Sequence, residues 1–63
     1  MDEELYAHDN YKGYHIYTIL EEYYYSSIYY NGTCFKDNVK AVSYESVLGL
    51  CKDIVDAWEG MDE

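Results

Sequence analysis

Residues 14–20 run Tyr-His-Ile-Tyr-Thr-Ile-Leu, and after Glu21-Glu22 the chain resumes over residues 23–30 as Tyr-Tyr-Tyr-Ser-Ser-Ile-Tyr-Tyr. β-Branched and aromatic side chains pack well on a pleated surface, so each run predicts a strand. Asn31-Gly32 follows without a gap. A two-residue type I′ turn needs positive φ at both central positions, which Asn and Gly tolerate, so this pair predicts a hairpin into a third strand within residues 33–42. The polar triplet Lys36-Asp37-Asn38 predicts a bulge or loop in that strand before residues 39–42 restore its apolar character.

The pattern then changes period. Val47, Leu50, Cys51, Ile54, Val55 and Trp58 recur at i, i+3, i+4, i+7, i+8 and i+11, the stripe of an amphipathic helix. Ser43 is its expected N-cap, Glu45 complements the positive end of the dipole, and Gly60 is placed to stop it. Gly49 inside the helix costs about 1 kcal/mol relative to Ala. Residues 1–10 hold four acids and no strong periodicity, and are expected to form a mobile acidic arm or a weak edge segment. The expected organisation is that arm, one domain over residues 11–60, and an acidic end at 61–63. Its fold class is α+β: a two-layer βββα unit with a three-stranded antiparallel sheet on one C-terminal helix.

A single helix covers only one face of such a sheet. Alternation places Tyr14, Ile16, Thr18, Leu20, Tyr24, Ser26, Ile28 and Tyr30 toward the helix, and His15, Tyr17, Ile19, Tyr23, Tyr25, Ser27 and Tyr29 toward the open side. On the helix, Glu45, Asp56, Glu59 and Glu63 fall within about 40° of one meridian opposite the apolar stripe, with Lys52 interleaved and Asp53 at the flank. They form an expected acidic ridge.

Composition sharpens this picture. The 63 residues include thirteen Asp and Glu against four Lys and no Arg, a formal charge of −9, and ten Tyr. Phosphate contacts need Lys and Arg, so direct binding to nucleic acid or to an anionic membrane is disfavoured. A basic protein surface is the expected partner, with Tyr offering broad contact rings that carry a hydrogen-bonding tip. The apolar fraction of 49% is too high for a disordered acidic tail. A chain of this length buries only roughly 60% of the surface its unfolded form exposes, so a partner or second copy would add to a marginal core. The acidic start Met1-Asp2-Glu3-Glu4 is not followed by an apolar run, and no stretch is long enough to span a bilayer, so a cytoplasmic location is expected. Cys34 and Cys51 are then expected as small buried hydrophobes, with a disulfide as the lesser alternative.

Candidate chemistry changes little. His8, Asp9, His15, Cys34 and Cys51 lack recognised zinc-ligand spacing, so neither metal nor cofactor is expected. Glu21-Glu22 sits at an expected turn in water, where nothing raises a carboxyl pKa for acid catalysis. Asn31-Gly32-Thr33 matches a glycosylation acceptor, but the hairpin accounts for the same residues. No nucleophile with a His-acid pair and no Gly-rich phosphate loop is present, so no enzyme activity is expected.

The stretches YYYSSIYYNGTCF and SYESVLGLCKDIVDAWE, residues 23–35 and 43–59, resemble the β-β-α portion of HicB-like antitoxin domains. That resemblance implies a partner in a small basic ribonuclease toxin. In size, acidity and compactness the whole chain is similar to phage-encoded inhibitors that imitate DNA, such as anti-restriction, uracil-DNA glycosylase-inhibitor and anti-CRISPR proteins. This second likeness implies a non-enzymatic inhibitor in a host cytoplasm, occupying the basic groove of a nuclease, CRISPR effector, polymerase or repair enzyme. The carboxylates assigned to that role are Glu21, Glu22, Asp37, Glu45, Asp53, Asp56 and Glu59, with Tyr23, Tyr25 and Tyr29 as aromatic anchors. The competing expectation is a homodimer or assembly subunit built on the Tyr-rich sheet face.

Overall fold

A computed structural model describes residues 5–60. The chain forms β1 (Leu5–Tyr11), β2 (Tyr14–Leu20), β3 (Tyr24–Tyr30), β4 (Thr33–Ala41) and α1 (Tyr44–Gly60). The strands lie in the order β1-β2-β3-β4, each antiparallel to the next, and α1 packs across β2, β3 and β4. The fold is therefore a small α+β unit with one C-terminal helix, and its sheet has four strands rather than the expected three. The fourth comes from the expected arm, whose residues 5–10 are paired in β1; residues 1–4 and the acidic end at 61–63 lie outside the described residues.

Two local features hid β1 from pattern reading. Its connection to β2 is the pair Lys12-Gly13, with φ of 55° and 84°, the same doubly positive geometry as Asn31-Gly32 at 58° and 80°. Lys seldom adopts positive φ, because its Cβ crowds the following carbonyl, so Lys-Gly is a weaker turn signal than Asn-Gly. The register also slips between Leu5 and Ala7, a bulge that breaks the two-residue alternation. Tyr6 consequently meets Tyr24 and Tyr44 on the helix side, with ring centroids 5.1 and 5.2 Å away.

The sidedness of β2 and β3 follows the hydrophobic pattern. Tyr14, Ile16, Thr18, Ser26 and Ile28 are buried beneath the helix, joined by Val39 from β4 and by Val47, Cys51 and Val55 from α1. The Thr18 and Ser26 hydroxyls would be costly in this core alone, but they bond each other at 2.7 Å. Val47, Cys51 and Val55 are the centre of the helical stripe, while Leu50 and Trp58 are 44% and 53% exposed. Ser43 caps the helix as expected: its Oγ accepts from the Ser46 amide at 3.1 Å, and its carbonyl accepts from the Val47 amide at 3.0 Å. The polar triplet of β4 disturbs its register with β3 around Ile28, and Asn38 takes a φ of 59° there. Among the described residues no helix is long and apolar enough to cross a membrane.

Candidate functional site

Among the described residues no element covers the outer side of the sheet. Tyr17, Ile19, Tyr25, Ser27 and Tyr29 line an open concavity of about 700 Å³ there, bounded by Leu5, Glu21 and the Asp37-Asn38 bulge. Tyr29 meets Tyr17 edge-on at 5.6 Å, and Asp37 Oδ1 accepts from Ser27 Oγ at 2.7 Å and from the Asn38 amide at 2.8 Å. Asp37 is thus a bulge-holding carboxylate as well as a surface charge. Tyr25 and Tyr29 belong to this concavity, whereas Tyr23 lies beneath Lys40 Nζ, 4.3 Å from its ring centroid. Lys40 is also the cross-strand partner of Tyr25, so Tyr23 borders the concavity without lining it.

The helix acids also divide. Asp56 turns to the β1–β2 hairpin, where Lys12 Nζ donates to it at 2.7 Å and Tyr11 Oη donates at 3.0 and 3.1 Å. The Lys12 bond holds the Asp56 carboxyl below its ordinary value, and the same bond raises Lys12. Tyr11 is raised first by its hydrogen bond to Asp56. Glu59 accepts from Tyr14 Oη at 3.1 Å. Asp56 and Glu59 therefore flank the packed face of α1 and reach toward the sheet, instead of lying on a ridge directed away from it. Glu63 of the expected ridge lies outside the described residues. Glu45 and Asp53 are exposed and form no ion pair among the described residues, and Glu22 does likewise in the β2–β3 connection that also holds Glu21.

Beside Glu59 the structure places aromatic surface that the pattern assigns to the core. Tyr30 and Trp58 are 47% and 53% exposed, and with Tyr14, Phe35 and Cys34 they line a second concavity of about 500 Å³. Trp58 meets Phe35 edge-on at 5.3 Å and Tyr30 stacks on Tyr14 at 4.4 Å, and Tyr14 is the one of these four rings that donates to Glu59. Trp58 extended the helical stripe at i+11 and Tyr30 shared the parity of Ile28, so neither stood out in sequence. The available signal was position, since both residues end an element.

The electrostatics of this end are uncompensated by the helix itself. α1 has no basic residue in its last turn, where the unsatisfied carbonyls carry the negative pole of the dipole. Lys12–Asp56 is the single Lys–carboxylate ion pair among the described residues. Lys52 instead lies 5.4 Å from the Tyr11 ring centroid. At the other end of α1, Tyr44 Oη donates to Asp9, a bond that with burial pushes the Tyr44 phenol up to about 12. Both cysteines are free; Cys51 is buried as expected, which raises its thiol, but Cys34, at the start of the edge strand β4, is exposed rather than buried. Among the described residues no three His, Cys, Asp or Glu side chains gather as a metal cage. Comparison with known proteins yields no matching family model, no matching curated protein and no matching solved structure.

Proposed function

We propose that this chain is a non-enzymatic acidic binding protein that inhibits a nucleic-acid-binding protein by occupying its basic groove. The observation that supports the reading is the C-terminal end of α1, where Glu59 stands in the last turn at the negative helix pole and bonds Tyr14, a ring of the hollow that the half-exposed Tyr30 and Trp58 also line, with Asp56 and Asp53 one and two turns further up the helix. Negative charge there raises the local concentration of a cationic surface and speeds encounter. Aromatic rings in a partly formed hollow then supply short-range affinity, because Tyr and Trp bury large area while freezing few rotors. Glu45, Glu21, Glu22 and Asp37 extend the field, and the role this serves is phage counter-defence or host takeover.

Affinity capture from a bacterial lysate, with and without nuclease treatment, tests the proposal. The expected result is retention of a nucleic-acid enzyme that added DNA or RNA competes off. Retention should weaken as salt rises, and should be lost in Asp53→Lys/Trp58→Ala with the helical circular dichroism intact. Salt-insensitive capture that survives both substitutions would overturn it. A retained small ribonuclease toxin would instead establish the antitoxin reading. The outer concavity supports a second reading, self-association through Tyr17, Tyr25 and Tyr29. Light scattering coupled to size exclusion separates the two, since a strictly monomeric chain at high micromolar concentration excludes assembly on that face.

A further inference from the structure

We propose that His8 and His15 form a surface binding site for a divalent transition metal of the imidazole-preferring kind, zinc or copper(II). The two residues lie on adjacent antiparallel strands. His8 pairs with Tyr17 and His15 with Asn10, so the histidines are diagonal neighbours on the open side of the sheet. His8 Nε2 and His15 Nδ1 approach to 3.1 Å. Two imidazole nitrogens bound to one zinc ion at about 2.0–2.1 Å with tetrahedral angles stand roughly 3.3–3.4 Å apart. In a square-planar copper(II) site the same bond lengths bring cis nitrogens to roughly 2.9 Å. The observed spacing lies between these, so the two nitrogens already stand at chelating distance, and binding turns both rings from facing each other to converge on one ion.

The rings are already partly ordered for this task. His8 stacks on Tyr17 with centroids 4.5 Å apart and planes 12° apart, and its ring lies 5.3 Å from that of His15. Stacking on a strand residue removes rotamer freedom that a flexible chelate would lose on binding. In the metal-free pair one N–H lies between the two nitrogens. Metal binding moves that one proton to the far nitrogen of its own ring, leaving His8 Nδ1 and His15 Nε2 protonated, a tautomer change of one ring that releases no proton from a neutral pair. The net charge of −9 favours a dication near the sheet. With no third His, Cys, Asp or Glu gathered at these rings among the described residues, the other coordination positions open to water. This open arrangement suits a binding site rather than a closed structural one.

Titration of the full chain with zinc chloride and with copper(II) chloride tests the proposal, by calorimetry and by NMR of the imidazole side chains. The expected result is one equivalent bound per chain, with the His8 and His15 ring signals moving together. For copper, electron paramagnetic resonance should show hyperfine coupling to two equivalent nitrogens. His8→Ala and His15→Ala should each weaken binding at least roughly tenfold, the lower end of the loss seen even when outer-sphere partners of metal ligands are removed. Circular dichroism establishes that each variant is folded, and His15→Gln retains a polar surface residue should His15→Ala unfold. Cys34→Ser and Asp53→Asn should bind as the parent does, and magnesium, which prefers oxygen ligands, should not compete. Undiminished binding in folded His8→Ala, competition by magnesium, or no saturable binding of either metal would overturn the assignment.

Discussion

Thr18 and Ser26 place two hydroxyls among the buried aliphatic and aromatic side chains of the helix-facing side of the sheet, and each is satisfied by the other at 2.7 Å. Ser26→Ala removes one partner and leaves Thr18 Oγ1 buried beside a gap, which should cost about 1–3 kcal/mol. The double variant Thr18→Val/Ser26→Ala removes the unsatisfied group along with its partner, so urea denaturation should find it closer to the parent than Ser26→Ala. Tyr44 gives a prediction in pH. Its phenol is raised from about 10 to about 12, first by donating to Asp9, then by burial, then by the Asp9 charge. Between these values the unfolded chain has lost the proton and the folded chain keeps it, so stability falls as pH rises. Tyr44→Phe should therefore be less stable than the parent below pH 10, and denaturation midpoints should show the gap closing toward pH 12.

At the scale of elements, legibility followed the strength of local chemistry. α1 was readable because its stripe and cap agree, and Ser43→Ala should cost about 1 kcal/mol by removing the acceptor of the Ser46 amide, as thermal or urea melts will measure. The β3–β4 hairpin was readable because Asn-Gly has few alternatives, and the disturbance of β4 followed from its polar triplet. β1 was readable only as the alternative of a weak edge segment, which is the place it takes in the sheet. Its turn places a lysine in a conformation lysine rarely takes, and Lys12 gains from the tertiary bond to Asp56, which no local rule anticipates. The same cause explains the acids. Helical periodicity gives the angle at which Asp56 and Glu59 leave α1, but their bonds to Tyr11, Lys12 and Tyr14 depend on the β1–β2 hairpin standing beside that face. Tyr30 and Trp58 were misassigned because parity and stripe position say which way a side chain points, and the extent of the covering layer determines whether anything meets it there.

At the scale of the molecule, the described residues form a slab of 41 × 23 × 15 Å, so across its two shorter axes charges lie within about two or three screening lengths of one another. With a charge of −9 and one Lys–carboxylate ion pair among the described residues, folding works against self-repulsion. Added salt screens that repulsion while weakening the Lys12–Asp56 bond only modestly, because an exposed pair contributes little. The melting temperature should therefore rise with sodium chloride, by about 4–8 °C for each kcal/mol of repulsion relieved in a domain this small. Binding to a basic groove requires the opposite response, since the same ions screen the attraction that brings the partners together. Differential scanning fluorimetry and binding titrations over one salt series thus separate the two roles of the acids. A melting temperature and an affinity that both rise with salt would mean that the carboxylates burden the fold without contributing to recognition, leaving the aromatic surfaces to supply it.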